Sequence, residues 1–507
     1  MTKSSSALIT DPLAFWAAHC PDRPALVMGD RTVSFGALEL WTNGVAAAFA
    51  ASGVSPGDVV VVTGANSLEW IAGALGALKA GAVVAPLNQR SVSSEFDYLL
   101  GTLEPKLVLA DQERLNVLQS LPLMQDCKSL AIEAIADIAP QEEWTTPRVS
   151  GDSPAVLAFT SGSTGHPKGV IHTHATILAS RLERQMIEPS YREGMRQLLV
   201  LPLYALPGTI SGFIATTIHG GTLIVEPGFD PARALAKMEE FRVTAFQGPP
   251  ILWEQISREP EFENADLSSL ESCQVGGAPI PHSLLVRWRE KGVLLRQLYG
   301  MTEVCGGATV STDTEIMEGA DTCGRGGPFT RVRIVSGDGN EQPPGVPGDV
   351  MLRGPSCTPG YWKNQKATSD LYVDGWMKTG DIGVVDDTGC FKFVDRAKDL
   401  IISGGINISP AEIERVLSDY SGVNDVAVIA ASDPKFGETP AALVFGSKDL
   451  DVVACIKHCC EHLSDYKVPR YLILVEKPLP RMAGGKVNKV LLRQQYTDIP
   501  SRHSKVR

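Results

Sequence analysis

Short apolar strands alternating with helical stretches constrain the fold of this chain more than any other feature. Residues 59–63 are an unbroken β-branched run of strand length, 68–80 have helical character, and 82–86 are apolar and strand-sized again. A run that is apolar at every position belongs to a strand buried on both faces. Strands separated by helices form a mostly parallel sheet covered on both sides. The alternation resumes between 155 and 300, with strands expected at 198–203, 244–246 and 294–298 and helices near 231–241, 250–258 and 281–291. Ahead of it, Ala25-Leu26-Val27 and Thr32-Val33-Ser34-Phe35 flank the Gly29-Asp30 turn as a hairpin.

Around residue 321 the texture changes. Stretches 331–335 and 348–352 are separated by a Gly/Asp/Asn turn, and 376–385 and 390–394 by Asp386-Asp387-Thr388-Gly389, which reads as a small β-rich lobe over about 321–394. A charged boundary follows at 395–399. Ser409-Pro410-Ala411-Glu412 then has the form of a capping box with proline at the first helical position, and it opens a helix expected to reach about residue 417. Strands at 424–430, 441–445 and 471–475 and a helix at 451–463 complete a unit of ordinary domain size. The expected class is α/β: a large N-terminal domain, 1–397, of parallel-rich sheets covered by helices with the β-rich lobe inside it, then a small α+β C-terminal domain, 398–507.

The 507 residues carry a net charge of −12, which argues against nucleic acid or an anionic membrane as the main partner. Ten cysteines lie scattered, without the spacing of a small disulfide framework, and point to a reducing, cytoplasmic setting. Residues 1–11 have one lysine, a serine run and no long apolar core, so they do not read as a secretory signal. The most apolar region, 59–87, is interrupted by Asn66, Glu69 and Lys79, so no stable membrane insertion is expected.

The chemistry starts at Phe159-Thr160-Ser161-Gly162-Ser163-Thr164-Gly165-His166-Pro167-Lys168-Gly169, between an apolar strand at 155–159 and an alternating one at 170–174. Glycines let the backbone approach a ligand, and successive N–H groups with hydroxyls and a cation cradle an anion, most naturally a polyphosphate. The spacing is not that of the P-loop NTPases, because Lys168 follows proline and precedes glycine. A second stretch, Gln297-Leu298-Tyr299-Gly300-Met301-Thr302-Glu303, follows a strand where open α/β sheets bind ligands. Tyr299 offers a flat face for a purine, Thr302 a hydroxyl for phosphate and Glu303 an oxygen ligand for Mg2+. Lys378-Thr379-Gly380-Asp381 with Val394-Asp395-Arg396, and Pro480-Arg481-Met482-Ala483-Gly484-Gly485-Lys486, complete the set.

These four stretches, in this order and at this spacing over residues 20 to 495, resemble the adenylate-forming superfamily of acyl-CoA synthetases, luciferases and peptide-synthetase adenylation domains, most closely the AMP-forming acyl-CoA synthetases. The resemblance implies ATP, Mg2+ and CoA as cofactors and a small carboxylic acid as substrate. It assigns the triphosphate to Thr160, Ser161, Gly162, Ser163, Thr164, Gly165 and Lys168, and the nucleotide to Gly277, Ala278, Pro279, Tyr299 and Gly300 as well. Catalysis falls to Thr302, Glu303 and Lys486, and the ribose to Asp381 and Arg396. Lys398 becomes the hinge of a mobile C-terminal domain, and Gly404 and Gly405 the walls of a pantetheine tunnel. Phe436, Tyr466 and Arg470 stand where relatives hold the CoA nucleotide. Lys489 reads as a surface residue. A stand-alone ligase that loads a carrier protein's phosphopantetheine is the alternative.

One departure is plain. Relatives commonly carry histidine where Pro202-Leu203-Tyr204-Ala205 has Ala205. The acyl pocket is expected from 204–213, 247–252, 273–279 and 304–309, including Tyr204, Ala205, Gln247, Gly276, Gly306 and Gly307. Those segments contain no Arg, Lys, Asp or Glu, and a buried second carboxylate needs a paired cation. An apolar monocarboxylate, aliphatic or aromatic, is therefore expected. Cys455, His458, Cys459, Cys460 and His462 share one helix; the reading preferred over a zinc site is buried thiols on one face and solvated imidazoles on another.

Overall fold

A computed structural model describes residues 6–506 apart from 126, 148, 161–166, 279, 318–321, 398, 404–405 and 483–485, with the side chain of 407 also left aside. The β-branched run forms the strand Val59–Thr63, buried at all five positions, inside a six-stranded sheet. In spatial order its strands are Lys128–Ala131, Leu107–Ala110, Val59–Thr63, Val83–Pro86, Pro154–Thr160 and Lys168–Thr173. All neighbours pair in parallel except the last two, which form an antiparallel hairpin.

A nine-stranded sheet lies against it. Its strands Thr222–Val225, Arg196–Leu199, Ala245–Gly248, Ser272–Gly276 and Leu295–Tyr299 are parallel, and antiparallel strands finish both edges. The hairpin around Gly29 is one of those edges. The helix Leu68–Lys79 is buried at every residue, because it fills the space between the two sheets. One core cluster joins Val60 and Val62 of the first sheet to Leu199, Leu223 and Val225 of the second through Trp70 and Phe213. Lys79 survives there because Glu39 lies 2.6 Å away and Asn43 Oδ1 2.7 Å away.

The β-rich lobe is a five-stranded sheet from Arg331–Val335 to Phe391–Arg396. Beyond it, Ile401–Ser403, Ile406–Ile408, Val423–Asp433, Gly437–Gly446 and Tyr471–Leu474 make a fourth sheet. Helices Pro410–Ser418 and Val452–His462 pack on one face with the apolar residues of that sheet. Ser409 accepts the Glu412 N–H at 3.3 Å, while the Glu412 carboxylate takes Lys467 at 2.7 Å. Cys455 and Cys459 enter the core, whereas Cys460, expected among the buried thiols, is exposed.

One local expectation fails. The second strand of the loop hairpin does not run through His174. Thr173 and Thr176 cap each other, with Thr176 N–H to Thr173 Oγ1 at 3.0 Å and Thr173 N–H to Thr176 Oγ1 at 2.9 Å, and a helix opens there, His174–Ile187. This helix is turned inside out. His174, Ser180, Arg181, Glu183 and Arg184 are buried, while Leu182 and Met186 are more than half exposed. Ile177 still packs on the core, but the apolar residues at 182 and 186 point away from it.

Candidate active site

Strands Ser272–Gly276 and Leu295–Tyr299 run side by side with Gly276 opposite Leu298, so the segments that follow them emerge together. The β-rich lobe covers that edge with Asp381 directly opposite Arg396 on neighbouring strands. Between them lies a cavity of about 1940 Å3. Thr160, Lys168, Ala278, Tyr299, Gly300, Thr302, Glu303, Asp381, Arg396 and Lys486 line one end; Tyr204, Ala205, Gln247, Gly276, Gly306 and Gly307 line the other.

At the first end the buried carboxylates of Asp381 and Glu303 each accept a tyrosine hydroxyl. The Tyr299 hydroxyl donates to Asp381 Oδ2 at 2.7 Å, and Arg396 Nε is 3.8 Å from the other oxygen. The Tyr299 ring is held by Phe391 at 4.6 Å and stacked on Phe393 at 6.0 Å. Burial raises the Asp381 carboxyl above its ordinary range, opposed by the Tyr299 hydrogen bond and by Arg396. Glu303 is buried, accepts the Tyr361 hydroxyl at 2.8 Å, and is likewise raised by burial. Lys168 Nζ sits 5.1 Å over the Tyr361 ring. That places the base of the hydroxyl-rich loop, where Thr160 pairs with Lys168, beside the 300–303 segment. Ser161, Gly162, Ser163, Thr164 and Gly165, at the loop's tip, lie outside the described residues, as do Pro279, Lys398, Gly404 and Gly405.

Lys486 arrives from the C-terminal unit. Gly277 has φ +87°, and a Cβ there would come within 3.0 Å of Lys486 Cε, so glycine leaves the stem room to lie flat. Burial and Arg396 lower the ammonium below its ordinary value, while Asp381 and Glu303 pull it back up. A cation poised among two carboxylates can neutralise an anionic ligand there. Lys489 is not a surface residue: it lines the same cavity and pairs with Glu414 at 2.7 Å. Phe436 and Arg470 come together, guanidinium over ring at 4.4 Å, away from the cavity, and Tyr466 stands exposed. His458, Glu461 and His462 gather on the outer side of their helix, with ligand atoms within 4.8 Å of one another.

The other end has a fifth wall that the sequence reading did not count. Arg181 and Arg184, from the inside-out helix, line it beside Ser211 and Gln274. The expectation of a wall free of ionisable groups is thus corrected. The four segments are as uncharged as read, but a helix distant in sequence supplies two buried guanidiniums. The signal that could have found them is the i, i+3 pair Arg181 and Arg184 directly behind the loop hairpin, on a stretch whose other residues give no coherent apolar face.

The family model for AMP-binding enzymes matches residues 13–362, and that for the C-terminal domain of AMP-binding enzymes matches 412–486. Among curated proteins, the chain is 34% identical over 483 residues to a feruloyl-CoA synthase of an Amycolatopsis species, covering 95% of this chain and 97% of that one. It is 32% identical over 477 residues to the long-chain-fatty-acid–CoA ligase FadD13 of Mycobacterium tuberculosis, covering 92% and 94%. Among solved structures, the anthranilate CoA ligase AuaEII in complex with anthranoyl-AMP superposes with a TM-score of 0.90 at 25% identity, over 98% of this chain and 99% of that one.

Proposed function

We propose the following roles from the premise that the chain belongs to the AMP-binding enzyme family. It is an AMP-forming acyl-CoA synthetase, an acid–thiol ligase using ATP and CoA. A carboxylate attacks the α-phosphorus of ATP in line and releases pyrophosphate, leaving acyl-AMP. The CoA thiol then attacks the acyl carbon, and AMP departs.

The observation that carries the assignment of residues is the convergence of Thr302, Glu303, Asp381, Arg396 and Lys486, drawn from the turn after Leu295–Tyr299, from the β-rich lobe and from the C-terminal region, on one cavity. Asp381 and Arg396 hold the ribose, with the Tyr299 hydroxyl fixing the acceptor oxygen that faces it. Tyr299 presents the base with a ring already braced by Phe391 and Phe393. Lys486 draws the acid's carboxylate and the α-phosphate together, two anions that otherwise repel. Thr302 donates its hydroxyl to the phosphate, and the loop from Thr160 to Lys168 cradles the remaining oxygens.

Glu303 fits a hard dication. Tyr361 donates to one carboxylate oxygen, and the buried carboxylate is an oxygen donor of the kind such an ion prefers. Mg2+ bound there would neutralise phosphate oxygens during the displacement.

The chain divides at Lys398 into a body, 1–397, and a mobile unit, 398–507, that turns between the two half-reactions; Gly404 and Gly405 then admit the pantetheine arm. Phe436, Tyr466 and Arg470 form the CoA nucleotide's resting place. The setting is cytoplasmic, in keeping with ten free thiols and with the absence, among the described residues, of any helix long and apolar enough to cross a membrane.

Coupled measurement of AMP and thioester over a panel of acids tests this reading. The expected result is AMP release that needs ATP, an acid and CoA together. Release only with a phosphopantetheine-loaded carrier protein would move the chain to carrier loading, and release with no acid in the panel would overturn the assignment.

A further inference from the structure

The acyl end of the cavity holds more hydrogen-bond donors than the protein satisfies. Arg181 is 2% exposed and donates from one nitrogen, to Ser180 Oγ at 2.9 Å and to the Cys305 carbonyl at 3.4 Å. Its Nε has no partner, and among the described residues no carboxylate pairs with it. Arg184 is 4% exposed; its Nη1 makes no hydrogen bond, and Glu188 lies at 4.0 Å. Glu188 is nearer to Arg296, at 3.3 Å, which also pairs with Asp313 at 2.7 Å. Glu183, the other acid on this helix, is committed to Phe329 N–H, Thr330 N–H and the Thr330 hydroxyl. Gln274 Nε2 is buried in the same wall and also unpartnered.

Three guanidiniums therefore share two carboxylates, and the one left over faces the cavity. A buried, unpaired Arg carries a desolvation cost of several kcal/mol, which a fold tolerates only when something returns it. The wall is also shaped for the guanidiniums: a Cβ on Gly307 would fall 2.1 Å from Arg184 Nη2, so glycine is what lets that group reach the cavity. A neutral acyl chain ending here would leave the surplus charge and the open donors as they are. An anionic oxygen group would satisfy both.

We propose that the acid activated by this enzyme carries a second carboxylate at its far end, bound by Arg181 with Arg184 and Gln274 beside it. The inference rests on the acyl-CoA synthetase reading and deepens it. One carboxylate meets Lys486 and the α-phosphate, an apolar body lies against Leu206 and Leu298, and the second carboxylate ends on the inside-out helix. No chemistry occurs at that second group, and Arg181 is a specificity-determining residue. The thioester product retains a free carboxylate.

The test compares matched acids on the full-length enzyme: α,ω-dicarboxylic acids of graded length against monocarboxylic acids of the same length, and aryl acids with and without a side-chain carboxyl. At least one dicarboxylate should exceed its monocarboxylate partner in kcat/KM by about ten- to hundredfold, the worth of a charge-assisted hydrogen bond in a dry site. Arg181→Met should abolish that ratio, and Arg181→Lys should keep part of it. A thermal-shift series without ATP reads the same preference independently of turnover, so it also serves if Arg181→Met folds poorly. If dicarboxylates shift the melting temperature more than their partners but no acid releases AMP, the synthetase reading fails, and with it the activated acid, while Arg181 stands as a carboxylate-binding group. Equal or better use of monocarboxylates, in rate and in thermal shift, or an Arg181→Met variant with an unchanged ratio, overturns the inference and leaves the synthetase reading intact.

Discussion

The two ends of the cavity are built on opposite principles. At the nucleotide end, Tyr299, Asp381 and Arg396 form a closed set, and Glu303 is held by Tyr361, which Lys168 caps. At the acyl end, Arg181, Arg184 and Gln274 keep donors without acceptors. A closed network needs no guest to be stable and presents any guest with a fixed geometry. An open one stays costly until the right guest arrives, so it discriminates more sharply among guests. The first arrangement suits a cofactor common to many enzymes, the second a substrate particular to one.

The largest test of this contrast is Lys486→Ala. Removing this cation should cut acyl-AMP formation by about a hundred- to thousandfold, while thioester formation from supplied acyl-AMP survives. Pyrophosphate release and thioester assays run side by side separate the two, and equal loss of both would break the assignment. Asp381→Ala comes next, leaving the Tyr299 hydroxyl and Arg396 without their shared acceptor. An increase of about ten- to hundredfold in KM for ATP is expected, with KM for the acid little changed; equal effects on both would mean that the two ends are not separate.

The acyl end should reveal itself through acid as well. His172 lies beneath it, its Nδ1 3.2 Å from the buried Cys305 thiol, and burial pushes its imidazole down to about 3. His174 and His219 are each lowered to about 4, by burial first. Values depressed below the unfolded 6.5 mean that the unfolded chain takes up protons first. Stability is therefore full above about pH 6.5 and is lost as pH falls towards 4, by about 1.4 kcal/mol per unit for each histidine. Denaturation midpoints between pH 7 and 5 measure the slope, and His172→Gln should make it shallower; a flat profile would show that this floor admits water. The smallest effect belongs to Tyr361→Phe. Loss of one hydrogen bond to Glu303 should cost about 1 kcal/mol, read as a several-fold rise in the Mg2+ needed for half-maximal rate.

How much of this was legible follows the same division. Glu303, Asp381 and Lys486, which the structure brings to one cavity, sit in short local stretches whose glycines and order can be read directly. The strands between 59 and 86 were legible too, being apolar at every residue. Arg181 and Arg184 were not. Their role depends on a helix presenting its charged side inwards, which periodicity cannot report when Leu182 and Met186 face solvent. The Thr173–Thr176 cap that starts the helix was missed for a related reason: β-branched residues before it extended the apparent strand.

The inward-facing helix has a consequence for how such an enzyme changes its diet. Because a single helical turn carries the side chains that greet the far end of the acid, exchanging one or two of them rewrites the menu while the phosphate-handling parts, rooted in other strands, stay as they are. New preferences can thus arise in few mutational steps, with the chemistry itself inherited whole.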